Sequence, residues 1–259
     1  MGAGSAWASL LAAGVLVMVR LSGVMVFAPV LSSPAIPARV KAMFVLAMTV
    51  LVTPVVAALP QTLARGPVEL TCAGVLGELA AGLLFGLCLQ MLMEGLLFAS
   101  ALLGIEFSFS LANLMDPNSM VETPVLGQLI GWLGVLVLIG AGCDRMLLAA
   151  VLRSFATAPV GSVLVTAQTG RAVAALAGGI FVAGVQLAAP VMAATLAVEV
   201  TLALISKMAP QLPLMFVAIP VKTLMGYAVL IGSLALWPAW VERHFERLLH
   251  AATQLVAAR

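Results

Sequence analysis

Ionisable side chains that stand inside long apolar runs are the first residues of this sequence that could do chemistry. They are Arg20, Glu78, Glu94, Glu199 and Lys207, and the runs around them are almost free of other charges. In apolar surroundings such groups pair with one another, contact a partner subunit, or line a route for ions or substrates. The sequence therefore leaves two interpretations open, a small transporter or channel and a set of ion pairs inside or between subunits.

A polar segment between two apolar runs is the second candidate. Residues 104–124, GIEFSFSLANLMDPNSMVETP, contain three of the ten carboxylates of the chain and neither Lys nor Arg. Irregular backbone is unfavourable in lipid, because no water is present to satisfy its polar groups. We expect this segment either to line or block a watery channel or to form an ordinary loop outside the membrane.

Motifs of intramembrane proteases do not fit this sequence. A membrane aspartyl protease needs two aspartates, one of them in Gly-x-Gly-Asp, but the chain has only Asp116 and Asp144, and GAGCD at 140–144 is one residue too long. A rhomboid-like protease needs a histidine within the membrane, whereas His244 and His250 follow the last apolar run. We therefore predict that the protein is not an enzyme and has no catalytic residues.

The composition indicates a membrane protein. Of 259 residues, 63% are hydrophobic and 8% are charged, and the mean hydropathy is +1.21. Soluble domains are about half apolar and about one quarter charged, so lipid or apolar protein must surround most of this chain. The net charge of +2, without a basic patch, argues against nucleic acid. Three cysteines without C-x-x-C spacing argue against a disulfide framework and a metal site, and we expect no cofactor.

Apolar stretches long enough to cross a bilayer core of about 30 Å occur about six times. They lie near 7–30, 42–64, 70–105, 123–152, 172–205 and 208–241. They lack the strict alternation of barrel strands, so the sequence predicts an all-α membrane protein with partly Pro- and Gly-broken helices. We predict a single domain over 1–259, with an amphipathic tail at about 242–259.

Several stretches do not read as simple spans. One helix over 70–105 would be about 54 Å long, so it must kink or leave the membrane. Pro190 is expected to interrupt its apolar run. Three prolines lie between Lys207 and Lys222, and they predict a broken helical hairpin whose ends are marked by the two lysines.

A face of small residues is expected in the third stretch. Gly74, Glu78, Gly82 and Gly86 recur at a spacing of four, which places them near one helical face and lets another helix approach closely. A buried carboxylate such as that of Glu78 should also face protein rather than lipid. The residues expected at helix-packing or subunit contacts are Gly74, Glu78, Gly82, Gly86, Gly127, Gly131, Pro190, Lys207, Pro210, Gln211 and Lys222.

Two long segments resemble one protein family. Residues 114–161, with Asp-Pro, Pro-Val-Leu, a long apolar run, Ser/Thr-Phe and Pro-x-Gly, are similar to the central signature of the FliR/SctT family of type III secretion export-gate proteins. Residues 187–227 contain Met-Ala-Pro-Gln-Leu and then Pro-x-Lys, which resembles a second signature of that family. Many members carry His at the position of Asp144 and Asn at that of Glu199, so we transfer no charge-specific role to these two residues.

The resemblance implies a membrane component of a flagellar type III protein export gate in the bacterial inner membrane at the basal body. It implies hairpins that assemble with FliP-like and FliQ-like subunits and with a FlhB-like subunit, and unfolded flagellar proteins as exported substrates. An injectisome (SctT-like) subunit is the alternative within the family, and a stand-alone transporter is the alternative outside it. The Asp-Pro and Met-Ala-Pro-Gln-Leu matches favour the flagellar branch.

The resemblance also implies that the polar segment helps to plug the pore. Its aromatic and aliphatic side chains would form an apolar seal, and its carboxylates would stay solvated or paired at the ends. The residues expected in this plug are Glu106, Phe107, Phe109, Leu111, Asn113, Leu114, Met115, Asp116, Pro117 and Glu122.

Overall fold

The chain is mostly helical in the part that the computed structural model describes. The described residues are 3–28, 36–65, 67–108, 125–163, 167–209, 211 and 214–257, and they contain no strand. The helices are α1 (Ala3–Phe27), α2 (Ala38–Ala57), α3 (Pro60–Arg65), α4 (Cys72–Ser108), α5 (Val125–Gly140), α6 (Cys143–Thr157), α7 (Ala167–Met208), α8 (Leu214–Leu234) and α9 (Trp237–Ala257). The prediction of an all-α protein is confirmed.

Five of the described helices are long and apolar enough to cross a membrane, or six if α5 and α6 together count as one broken span. This agrees with the predicted number. The helices α4 and α7 contain 37 and 42 residues. At about 1.5 Å per residue they are roughly 55 and 63 Å long, far more than a hydrocarbon core of about 30 Å. Both helices are therefore longer than one crossing of the hydrocarbon core requires.

Two expectations about helix breaks are wrong. The helix α7 continues through Pro190, whose ring is exposed, because one missing N–H removes only one bond of a ladder that the neighbouring turns maintain. The expected break between Lys207 and Lys222 does occur, since α7 ends at Met208 and α8 begins at Leu214. The helix α8, however, continues through Pro220, and Lys222 lies within it rather than at an end of the hairpin.

Two compact units divide the chain. The first contains Met1–Leu92, Gly142–Ala177 and Arg243–Arg259, and the second contains Met93–Ala141 and Gly178–Glu242. Three of the four boundaries fall inside α4, α7 and α9, and the fourth lies between α5 and α6. The single domain expected over 1–259 stays a prediction.

In the first unit, α1 packs against α2 and against the beginning of α4. The side chains of Ala13, Leu16, Val17 and Val24 in α1 are buried, and their spacing of three, four or seven residues places them on one helical face. On α2, the methyl group of Thr53 lies 3.6 Å from the position that a Cβ would take at Gly14. These contacts fix α1 between two other helices of this unit.

The C-terminal helix α9 is strongly amphipathic, as the sequence predicts for 242–259. Its buried residues Val241, Phe245, Leu248 and Val256 share one face. Four charged residues are exposed on the other side, namely Glu242, Arg243, Glu246 and Arg247. Within the first unit, the thiol of Cys88 on α4 lies 3.7 Å from the carbonyl oxygen of Leu248, so the buried face of α9 rests on α4.

In the second unit, the end of α4 packs against α5, α7 and α8. The rings of Phe98 on α4 and Phe181 on α7 meet edge to face, with centroids 5.3 Å apart. A Cβ at Gly131 on α5 would lie 3.4 Å from Leu97 on α4. The last turns of α4 therefore lie among other helices of this unit, where the charged cluster described below is located.

Candidate functional site: two charged clusters in an apolar helical protein

A buried ion pair forms the centre of the first unit. Arg20 on α1 donates from Nε and Nη2 to the two carboxylate oxygens of Glu78 on α4. Neither side chain has any exposed surface. The arrangement is bidentate, which gives such a pair both strength and a fixed geometry. The two residues therefore set the register of α1 on α4.

The remaining polar atoms of this ion pair contact α6 and the loop that follows it. Arg20 Nη1 donates to Ser154 Oγ at 2.8 Å, and Nη2 donates to the carbonyl oxygen of Ala158 at 3.1 Å. Glu78 Oε1 accepts from the backbone N–H of Gly161 at 2.8 Å, and Gly161 has a φ of 77° that favours glycine. The guanidinium group also lies 4.1 Å from the ring centroid of Phe155. Buried charges are tolerated when they are paired and hydrogen-bonded in this way.

Close backbone contact surrounds the ion pair. A Cβ at Gly82 would clash with the backbone oxygen of Arg20 and would lie 3.0 Å from the Cα of Gly23. A Cβ at Gly86 would lie 2.5 Å from the backbone oxygen of Val24. Only glycine allows such approach, so the face of α4 singled out in the sequence contacts α1 of the same chain, with Glu78 inside the contact.

A second charged cluster lies in the second unit. Lys222 on α8 forms ion pairs with Glu106 on α4, at 3.2 Å, and with Glu199 on α7. The hydroxyl of Thr195, one turn before Glu199, lies 2.6 Å from Glu106 Oε1. Lys222 and Glu106 are mostly buried, but 51% of the Glu199 side chain is exposed. Three helices therefore meet at one lysine.

An aromatic stack lies next to this cluster. The rings of Phe107 and Tyr227 are 4.6 Å apart between centroids and nearly parallel, at 8°. A Cβ at Gly226 would lie 2.5 Å from the ring of Phe107. Stacked rings contribute about 0.5–1.5 kcal/mol beyond their burial. The ion pairs and the aromatic stack together fix the end of α4 against α8, immediately before residue 109.

Only the first two residues of the expected plug lie in the described part. Glu106 and Phe107 belong to the last turns of α4 and not to a loop, because their side chains have partners on α7 and α8 that extend the helix. The other expected plug residues lie outside the described residues; they are Phe109, Leu111, Asn113, Leu114, Met115, Asp116, Pro117 and Glu122.

The other expected contact residues are placed as follows. Gly74 lies near Gly161, with 3.6 Å between the position of a Cβ and the Cα of Gly161. Lys207 lies in the last turn of α7, and Gln211 is an exposed turn residue before α8. Gly127 lies in α5 with Gly131. Pro210 lies outside the described residues.

Four residues of these clusters were missed by sequence reasoning: Ser154, Gly161, Thr195 and Tyr227. Gly161 stands in the recognised Pro-x-Gly motif, and Tyr227 is the only tyrosine in the chain, so both gave a signal. Ser154 stands in the Ser/Thr-Phe element of the same signature, whereas Thr195 gave no signal, because small hydroxyl residues are common in membrane helices.

The described residues contain no group of three His, Cys, Asp or Glu side chains that could hold a metal ion. What the two clusters can do is hold helices together by charge. Fold and site thus define a multi-pass helical membrane protein with internal ion pairs and two helices longer than a bilayer.

Comparison with known proteins places this architecture in a family. The family described as Bacterial export proteins, family 1, matches residues 11–248. The flagellar biosynthetic protein FliR of Caulobacter vibrioides is 28% identical over 90% of this chain and 93% of its own length. FliR of Escherichia coli is 24% identical over 93% and 91%, and FliR of Bacillus subtilis is 24% identical over 70% and 71%. The chain therefore belongs to family 1 of the bacterial export proteins.

Proposed function

We propose that this membrane component of the flagellar export gate forms part of the export pore and closes it with the segment that follows Phe107. The protein acts without catalysis, in the bacterial inner membrane at the basal body. Family membership over residues 11–248, similarity to FliR proteins and the five or six helices able to span a membrane support the role in export.

The proposal that this segment closes the pore rests on the fixed end of α4. Glu106 contacts Lys222 and Thr195, and Phe107 stacks on Tyr227. The polar segment therefore starts from a defined position between apolar helices. Its sequence alternates small polar residues with Phe, Leu and Met, and apolar side chains in a constriction exclude water and ions.

Partner subunits follow from the same proposal. FliP-like and FliQ-like subunits, together with a FlhB-like subunit, surround the pore, and unfolded flagellar proteins pass through it. The broad exposure of apolar side chains supports this, for example Leu224 at 70% and Ile231 at 69% on α8. Such surfaces require lipid or other apolar protein as their environment.

Purification in a mild detergent tests the assembly. We expect the chain, co-expressed with FliP-like and FliQ-like proteins of the same bacterium, to elute with them as one complex of fixed composition. A monodisperse chain that does not bind these subunits and that transports a small solute in liposomes would instead identify a stand-alone transporter. Assembly with injectisome subunits in preference to flagellar ones would favour the SctT-like alternative.

Single-channel recording tests the pore closure. Deleting Phe109–Met115 should leave the complex assembled and raise its closed-state conductance, because the apolar seal is lost while the anchor at the end of α4 remains. The control is Glu122→Gln, which changes a flanking charge and should change conductance much less. If the assembled deletion variant conducts like the intact complex, the segment is a connector and closes nothing.

A further inference from the structure

One face of α7 combines exposed apolar side chains with a carboxylate. Leu196 and Val200 are 59% and 53% exposed, Ala203 is exposed as well, and helical periodicity places all three within about 100° of Glu199 around the helix axis. We call these four residues the Glu199 face. They belong to a helix that is long and apolar enough to span a membrane.

The charges around the Glu199 face do not balance. Glu106 and Glu199 share the single ammonium group of Lys222, which leaves this trio with one net negative charge. Lys207 stands eight residues after Glu199, about 12 Å along the helix axis, which is too far for an ion pair. The excess negative charge is accessible at Glu199, since 51% of its side chain is exposed. Lys222 and Glu106 are mostly buried.

Neither lipid nor water fits this face. An exposed carboxylate is unfavourable against hydrocarbon, and the three exposed aliphatic side chains around it are unfavourable against water. A protein helix with apolar or small residues and one cation at the height of Glu199 satisfies both requirements. Charge complementarity of this kind also selects one register of the two helices.

We propose that the Glu199 face docks a membrane helix of a partner subunit that carries a Lys or Arg opposite Glu199. The contact rests on the proposed assembly of this chain into an export gate, and it assigns a specificity role to Glu199. The lysine of this chain holds Glu199 in place, and the partner's cation neutralises the remaining charge.

Substitution of Glu199 in the co-expressed complex tests the contact. Glu199→Gln keeps the size of the side chain and removes its charge, so the fraction of chain recovered with FliP-like and FliQ-like subunits should fall about three- to tenfold, the range expected for one interhelical polar contact. Glu199→Lys should reduce recovery further, because it places two cations face to face. Glu242→Gln, at an exposed carboxylate of α9, is the matched control and should leave recovery unchanged.

Two more measurements separate docking from a role inside the chain. The isolated Glu199→Gln chain should keep its detergent melting temperature to within a few degrees, because Glu106 still pairs with Lys222. A photo-reactive amino acid at Ala203, one turn after Glu199, should cross-link to a FliP-like or FliQ-like subunit, whereas one at Thr201, on the opposite side of α7, should not. Exchanging the cross-linked helix's cation for Glu should restore assembly of Glu199→Lys.

The outcomes distinguish the two proposals. Normal recovery of Glu199→Gln with its partners, or cross-links from Ala203 to lipid alone, would overturn the docking contact and leave the export-gate role in place. Loss of recovery that is matched by unfolding of the isolated variant would also overturn it. If the unmodified chain never assembles with these subunits, both proposals fall together.

Discussion

Arg20 and Glu78 stand 58 residues apart in the sequence and form a fully buried bidentate ion pair. The pair joins α1 to α4, and Ser154 and Gly161 extend it to α6 and the loop beyond. Since the low dielectric makes an unpaired buried charge very unfavourable, the two residues specify one another. The network links three parts of the chain that are distant in sequence.

Removing one member of this ion pair should therefore lower the stability of the folded protein strongly. We expect Glu78→Ala to lower the free energy of unfolding by about 3–5 kcal/mol, because Arg20 keeps its charge without its main partner. Denaturant titration of the purified chain in detergent, followed by circular dichroism, measures the effect. The double variant Arg20→Met with Glu78→Met should be less destabilised than Glu78→Ala. If the double variant is the worse of the two, the pair contributes net stability beyond its own burial.

Matched glycine substitutions should have opposite effects. Gly82→Ala should cost about 1–3 kcal/mol by overpacking, since its methyl group would clash with the backbone of α1. Gly170→Ala adds the same methyl group to α7 where nothing lies within 4 Å, so it should be neutral or stabilise by up to about 1 kcal/mol. Thermal unfolding in detergent compares them, and equal melting temperatures would mean that α1 does not press on Gly82.

The carboxylates that share Lys222 should act non-additively. Each of Glu106→Gln and Glu199→Gln leaves one carboxylate next to the ammonium group, whereas the double variant leaves neither of the two. The loss of stability in the double variant should exceed the sum of the single losses by about 0.5–3 kcal/mol. A double-mutant cycle on the isolated chain measures this coupling, and strictly additive effects would show that the two ion pairs are independent.

His244 should make stability depend on pH. Burial, and secondly the positive charge of Arg247, lower the pKa of His244 below its ordinary value of 6.5. Above pH 6.5 the folded and unfolded states are both neutral at this residue. As the pH falls below 6.5, the unfolded chain takes up a proton that the folded chain resists, so stability decreases until the folded pKa is reached and then levels off.

Titration of the His244 ring by NMR in detergent checks this directly. Arg247→Gln should raise the pKa of His244 only part of the way towards 6.5, because burial is the larger cause. In stability measurements, His244→Gln should lose the pH dependence assigned to this residue. An unperturbed His244 pKa in the intact protein would show that the ring is solvated.

Helical class and number of spans could be read from the sequence because they depend on local properties. Twenty or so apolar residues without alternation specify a membrane helix wherever they occur. Glycine at every fourth position likewise indicated a packing face at Gly82 and Gly86, since helical periodicity alone puts them together. Proline was a poorer guide, because α7 and α8 continue through Pro190 and Pro220.

The partners of the charged residues could not be read in the same way. The sequence by itself determined that Arg20, Glu78 and Glu199 stand in apolar surroundings and need partners. Only the tertiary structure decided that Arg20 meets Glu78, and that Lys222 lies between Glu106 and Glu199. The physical reason is that an ion pair depends on a few ångströms between side chains of different helices. The packing of those helices fixes that distance, and no spacing along the chain encodes it.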